Sequence, residues 1–360
     1  MSVLEIDLNK FDKNVKTVKK YLEDRKVMLS PTIKVYHGDL NLVKILSDNG
    51  IKEVCSSRVS QLKKVKENFD MKTLLLRLPS YSELADIALY VDTVLISEFS
   101  TASLLNDVLI RENKTINAVI MQDIGDLREG LMNYDDILKL ALSIEKMSNV
   151  NLYGIGVNFN CYGSVRPTYE NMSIVVDTKR RLEQELGRKL DILSGGATTS
   201  LELMFNNLLD KEVNHLRVGG LLVQKTYYKE FCDFSYYLPS LEDVYVLKAE
   251  IIELNSKPTY PIGELVVDGF GNKPNYVDRG VRKRAIIALG KYDVGSSLQI
   301  YPLDKDIKVL GGSSDHIILD IEDSKNDYKV GDVISFYLDY ESILFSNASV
   351  DVSKVYKTIL

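Results

Sequence analysis

Leu152-Tyr153-Gly154-Ile155-Gly156-Val157-Asn158 is an apolar run closed by an amide. A helical stretch follows from Met172 to Leu186, then a second apolar run, Leu190-Asp191-Ile192-Leu193, which ends at Ser194-Gly195-Gly196. Strand, helix and strand in this order imply a parallel pair with the helix packed outside it. The same alternation extends in both directions. Toward the N-terminus, strand-like runs end at Thr32-Ile33-Lys34, Ser56-Ser57, Leu76-Arg77, Ile96-Ser97 and Gln122-Asp123. Toward the C-terminus a last run reads His215-Leu216-Arg217-Val218-Gly219-Gly220. Lys10 to Asp24 opens the series as a helix, with Phe11, Val15, Val18 and Leu22 on one buried face. Eight units in about 220 residues fit a closed (β/α)8 TIM barrel. A doubly wound sheet is the rival fold, but no GxGxxG follows the first strand.

From about Tyr245 the pattern changes to strand-length runs separated by turn signals such as Asp268-Gly269, Gly271-Asn272, Gly311-Gly312 and Gly331-Asp332. A smaller, mostly-β C-terminal domain is expected, with the boundary between Phe231 and Glu242 around Pro239. The expected division is 8–235 for the barrel and 236–360, with 1–7, for the second domain.

Composition narrows the chemistry. The 360 residues carry 45 Lys and Arg against 51 Asp and Glu, a net charge of −6 that argues against a nucleic-acid partner. Three cysteines form no CxxC pair, so neither a disulfide framework nor a zinc ribbon is expected. Three histidines more than 100 residues apart leave no HExxH, and no metal site is expected. The N-terminus is acidic, and no window holds the ~18 apolar residues of a membrane span. The expectation is a cytoplasmic protein without membrane association. Any proton chemistry falls largely on lysine, tyrosine, cysteine or carboxylate.

In a barrel of this kind, chemistry sits at the C-terminal strand ends. Those ends carry Lys34, Ser57, Arg77, Asp123 with Arg128, Asn158, Ser194 with Gly195 and Gly196, and Arg217 with Gly219 and Gly220. Amides at glycine turns bind anions, phosphate foremost. A lysine desolvated beside other cations becomes a nucleophile toward carbonyls. A lysine and a phosphate cradle on one rim suit pyridoxal phosphate or a sugar-phosphate aldolase, and spacing alone does not separate these.

Several ordered blocks resemble the alanine racemases and their relatives. They are Glu5-Ile6-Asp7-Leu8-Asn9 with Asn14, Ile33-Lys34 followed by Tyr36-His37-Gly38, Gly125 to Gly130 with Arg128, and Ser313-Ser314-Asp315-His316. Gly154 to Asn158 with Cys161-Tyr162-Gly163, Leu216-Arg217-Val218-Gly219, Pro261-Ile262-Gly263-Glu264 and Phe270 to Pro274 are similar to the ornithine racemase branch. The resemblance runs from Glu5 to about Tyr340, nearly end to end.

The resemblance implies a pyridoxal-phosphate-dependent amino-acid racemase acting on ornithine, with lysine a further substrate. Lys34 would hold the cofactor and act as one base. Ser194, Gly195, Gly196, Gly219 and Gly220 would grip its phosphate, aided by Tyr36. Arg217 would face the pyridine nitrogen, Asn158 would lie near the ring, and Arg128, at the family's strand-five arginine position, would also bind the cofactor. In related decarboxylases a glutamate stands where Arg217 does, and an arginine, which only donates, favours racemisation.

The family's opposite-face base is a tyrosine in a Gly-Tyr-x-Asp-Gly block, but here Leu289-Gly290-Lys291-Tyr292-Asp293 places the tyrosine one residue late. In a strand that turns it to the other face. Cys161 and His316 lead the candidates for the second base, ahead of Tyr162 and Lys291. Ser314 and Asp315 would touch substrate, and Asp315, Asp268 or Asp126 would receive a terminal ammonium. A homodimer is implied. The alternatives are a pyridoxal-phosphate carrier without turnover, a racemase of another amino acid such as alanine, and a decarboxylase or aldolase. Read singly, Cys55 and Cys232 are apolar fillers, His215 is structural, and Tyr227-Tyr228 and Tyr236-Tyr237 serve packing or subunit contact.

Overall fold

A computed structural model describes residues 2–225, 234–273 and 275–358. Tyr227, Tyr228, Phe231, Cys232 and Pro274 lie outside the described residues. The chain divides into two compact units, Lys10–Glu242 and Met1–Asn9 with Asp243–Leu360.

Strand β1 (Ser2–Asp7) belongs to the second unit. The helix Leu8–Glu23 then buries Phe11, Val15, Val18 and Leu22, as their spacing predicts. Asn14 is buried on the same face and fully used. Its amide donates to the carbonyls of Leu222 (3.1 Å) and Glu242 (2.8 Å), and its oxygen accepts from the Glu242 amide (2.9 Å).

Eight parallel strands follow: β2 (Met28–Pro31), β3 (Glu53–Ser56), β4 (Lys72–Leu75), β5 (Thr93–Ile96), β6 (Ile116–Gln122), β7 (Val150–Val157), β8 (Ile192–Ala197) and β9 (His215–Val218). They pair in the order β2-β9-β8-β7-β6-β5-β4-β3, and a bridge from Thr32 to Cys55 brings β2 back to β3. This is the (β/α)8 barrel.

Two strand ends differ from the sequence reading. β2 stops at Pro31, and Lys34 sits in a 3-10 turn, Ile33–Tyr36, closed by left-handed His37, whose amide bonds to the Lys34 carbonyl (3.1 Å). β8 instead runs through Ser194-Gly195-Gly196. A Cβ at Gly195 would meet the Val213 side chain at 2.4 Å, and Gly196 has φ +103°, where the register against β9 shifts. These glycines make a bulge inside the strand rather than a turn after it.

The second unit is an antiparallel sheet. Its strands are β10 (Tyr245–Pro258), β11 (Val281–Ile287), β12 (Ile300–Pro302), β13 (Lys308–Gly312), β14 (Ile317–Asp320), β15 (Val333–Leu338) and β16 (Ser353–Lys357). The order is β12-β15-β10-β11-β14-β13, while β1 lies antiparallel to β10 and parallel to β16. Alternation along β10, with Tyr245, Leu247, Ala249 and Ile251 buried, gives the sheet one packed face.

Candidate active site

Lys34 is half-buried, and among the described residues no hydrogen bond or ion pair holds its ammonium. Its turn touches the end of β9. The Thr32 amide donates to the Val218 carbonyl (2.8 Å), and a Cβ on Gly219 would meet Val35 at 3.0 Å and Thr32 at 3.1 Å. A side chain at this position would require Val35 and Thr32 to give by a few tenths of an ångström, so glycine eases the close approach of the two loops. Tyr36 is fully buried, its ring edge-on to Phe11 at 5.6 Å.

After the β8 bulge comes a 3-10 turn, Thr198–Ser200. Thr198 Oγ1 accepts from the Gly219 amide (3.3 Å), which ties this turn to β9. Among the described residues the buried hydroxyls of Thr199 and Ser200 have no partner, and a Cβ at Gly196 would lie 2.7 Å from Ser200 Oγ. Buried polar atoms are almost always satisfied, so two orphan hydroxyls beside glycine turns mark a place for an acceptor-rich ligand. A phosphate fits there. The sequence reading passed over Thr198-Thr199-Ser200, although three consecutive hydroxyls directly after Ser-Gly-Gly-Ala were a visible signal.

Ser194 points its hydroxyl elsewhere. Its Oγ accepts from Arg217 Nη1 and lies 2.8 Å from His215 Nδ1. His215 Nε2 in turn lies 3.0 Å from Glu53 Oε1. Arg217 is 4% exposed and also donates through Nη2 to the Val157 carbonyl (2.9 Å). Desolvation pulls the guanidinium's pKa down, while Cys55, Glu129 and Glu53 act the other way. Beside this network Cys55 is buried against Thr32, and burial pushes its thiol up to about 11. That suits a packing residue, not a nucleophile.

The loops after β6 and β7 are joined through Asp126. This buried carboxylate accepts from Asn158 Nδ2 (3.5 Å) and the amides of Cys161 (3.4 Å), Tyr162 (3.3 Å) and Val165 (3.4 Å). Its oxygens thus already serve the protein's own amides. Arg128 pairs with Glu129 and touches Cys161 Sγ. Cys161 itself is exposed, and Tyr162 is 74% exposed. Lys34, Arg217, Gly219, Gly220, the Gly196 bulge, Asn158 and the Asp126 loops thus all stand at the C-terminal strand ends of the barrel.

Ser314, Asp315 and His316 belong to the second unit, in the exposed turn joining β13 to β14. Ser313 Oγ accepts from the amides of Asp315 (3.4 Å) and His316 (3.1 Å), and Ser314 Oγ donates to Asp315 (2.6 Å). The turn packs on Gly290, where a Cβ would lie 1.8 Å from the Ser314 carbonyl oxygen. Residues Lys291–Val294 form a helical turn, which corrects the strand-face argument applied to Tyr292. Tyr292 is 65% exposed, whereas Lys291 is tucked against Asp268 (3.6 Å) and over the Phe270 ring (4.3 Å). Asp268 meanwhile caps its own turn, accepting from the amides of Phe270 (2.9 Å) and Asn272 (2.8 Å).

Among the described residues no cluster of three or more His, Cys, Asp or Glu could hold a metal ion. No helix among them is long and apolar enough to cross a membrane.

A lysine on the rim of a (β/α)8 barrel, a glycine-and-hydroxyl cradle and a buried arginine, followed by a β domain, describe a class of cofactor-dependent enzymes. The model of the alanine racemase N-terminal domain matches residues 6–226, and the chain belongs to that family of pyridoxal-phosphate-dependent amino-acid racemases. It is 38% identical over 353 residues to the ornithine racemase of Acetoanaerobium sticklandii, covering 98% of both chains. It is 34% identical over 355 residues to the lysine racemase of Thermotoga maritima, again over 98% of both. Among solved structures it resembles the alanine racemase of Bartonella henselae with covalently bound pyridoxal phosphate. There the TM-score is 0.72 at 15% identity, over 99% of each chain. The orphan hydroxyls of Thr199 and Ser200, the close approach at Gly219 and the unpaired Lys34 ammonium fit that cofactor.

Proposed function

We propose that the protein interconverts L- and D-ornithine, with lysine as a further substrate, and works as a cytoplasmic homodimer. The observation that carries the chemistry is the rim that joins the Lys34 turn, the Gly219 contact and buried Arg217. The likeness to an ornithine racemase and a lysine racemase over nearly the whole chain supports the substrate class.

When bound, pyridoxal phosphate acidifies the substrate's α-proton. Lys34 holds the cofactor through its ε-amino group and takes or returns that proton on one face. The Gly196, Gly219 and Gly220 backbone and the hydroxyls of Thr199 and Ser200 receive the phosphate, with Tyr36 beside them. Gly195 gives β8 its close approach to Val213, and Ser194 acts through Arg217. Arg217 presents donors to the pyridine nitrogen, which suits racemisation over decarboxylation. Asn158 would border the cofactor ring, and Arg128, which touches Cys161, would contact the cofactor. Ser314 and Asp315 contact substrate from the β domain.

The proton on the opposite face belongs to Cys161 or His316. Lys34→Ala is expected to abolish the visible absorbance of the bound cofactor and to slow ornithine racemisation at least about 10³-fold. Racemisation by that variant at the wild-type rate sinks the assignment. Cys161→Ser and His316→Gln are to be compared in heavy water. Loss of the true second base leaves α-proton exchange from one enantiomer and removes it from the other. The variant that exchanges both enantiomers normally excludes its residue.

A further inference from the structure

Four side chains run in line through the buried interior of the barrel: Glu53 on β3, His215 and Arg217 on β9, and Ser194 on β8 between them. All are buried, and His215 is fully so. Their separation in sequence is large, 162 residues between Glu53 and His215.

The directions of these hydrogen bonds follow from the two ends. A guanidinium can only donate and a carboxylate can only accept. Arg217 therefore donates to Ser194 Oγ. His215 donates from Nε2 to Glu53, which leaves Nδ1 as an acceptor. The Ser194 hydroxyl proton must then turn toward His215 Nδ1, so that its lone pairs face Arg217. Each link is satisfied only in this sense. With imidazole N–H on both sides, Ser194 Oγ would receive two donors and its own proton would lose its acceptor.

We propose that Glu53 and His215 are positioning residues that act on the cofactor through Arg217. The chain of bonds locks the rotor of Ser194, and Ser194 with the Val157 carbonyl fixes the plane of the guanidinium. The remaining Arg217 N–H groups are thereby aimed at one place. Glu53 also supplies a negative charge in the same dry interior, compensating a cation that burial disfavours. A buried polar network is valuable when complete and costly when cut, so its members should behave as a unit. This inference rests on the reading that Arg217 meets the pyridine nitrogen.

The test is a double-mutant cycle on the holoenzyme. His215→Phe fills the volume but cuts the chain of bonds, and Ser194→Ala cuts its last link. Each is expected to shift the absorbance of the bound cofactor and to lower kcat about tenfold, with KM changed less than about threefold. The double variant is expected to be no worse than Ser194→Ala alone. Glu53→Gln keeps an acceptor for His215 without the charge and should produce the same spectral shift, smaller. It carries the test by itself if His215→Phe does not fold. Additive effects, or a lowered unfolding temperature with an unmoved spectrum, overturn the proposal. Arg217→Lys separates the two readings. If its spectrum is also unmoved, the Arg217 assignment fails. If Arg217→Lys shifts the spectrum and the others do not, only the Glu53 and His215 roles fail.

Discussion

The barrel interior is filled in two ways. Around β4, β5 and β6 it is apolar: Leu74, Leu95, Val119 and Met121 pack with Cys55 of β3. Around β8 and β9, with Glu53 of β3, it is a hydrogen-bonded chain ending at Arg217. Both arcs are equally buried, so burial does not distinguish them. The apolar arc gains stability from area removed from water and is indifferent to small rotations. The polar arc gains little net stability, because its bonds replace bonds to water, but it admits one arrangement. One closed sheet thus has a side that holds the fold and a side that aims a side chain.

That contrast can be broken experimentally. Leu95→Ala, in the apolar arc, should cost about 2–5 kcal/mol of unfolding free energy in denaturant titration. The absorbance of the bound cofactor should not change, and a spectral shift in this variant would erase the distinction between the arcs.

Asp126→Asn comes next, because the loop carboxylate resembles the polar arc in serving several donors at once. Its loss should cost about 1–3 kcal/mol. Hydrogen exchange at the Cys161, Tyr162 and Val165 amides should accelerate, while Arg217-dependent signals stay put.

The smallest effect is expected in the barrel's outer helical layer, at Glu183 on the helix Tyr169–Leu186. Burial alone would raise this carboxyl, but hydrogen bonds from Lys179, Lys189 and the Leu190 amide hold it at about 2 against an ordinary 4.5. A depressed folded-state pKa stabilises above the unfolded value and loses that stability as pH falls from 4.5 toward 2. Glu183→Gln should therefore lower stability at pH 7 by about 1–2 kcal/mol, after screening of the exposed Lys189 partner. Wild type and variant should converge near pH 2. A gap that stays constant from pH 7 to pH 2 would mean that the carboxylate is not the source.

The barrel was legible because each strand is a short run of β-branched or leucine residues followed by a polar end, and that pattern is local. The start of the helix Tyr169–Leu186 was read three residues late, since a capping box between Thr168 and Asn171 begins it before the first apolar residue. Lys34 and Arg217 could be placed at strand ends because each sits within a few residues of a strand. Ser194 could not be oriented. Ser-Gly-Gly reads as a turn, and only the bulge against β9 turns the hydroxyl toward Arg217. Glu53 resembled any polar residue at a strand start, and His215 resembled a buried spacer, because what gives them meaning is a partner on a distant strand. Thr199 and Ser200 were passed over although the run of three hydroxyls after Ser-Gly-Gly-Ala is visible in the sequence; what the sequence does not display is that two of them are buried and lack partners among the described residues.

Strand β1 pairs with β10 on one side and with β16 on the other, joining Val3 to Lys248 and to Ser353. During synthesis the first strand therefore waits for neighbours that leave the ribosome some 250 and 350 residues later. The barrel residues between them, Lys10–Glu242, can collapse in that interval, since their strand pairs close mostly between consecutive units. A nascent chain stopped short of β10 would carry β1 as an unpaired edge, the kind of edge that invites pairing with a second chain.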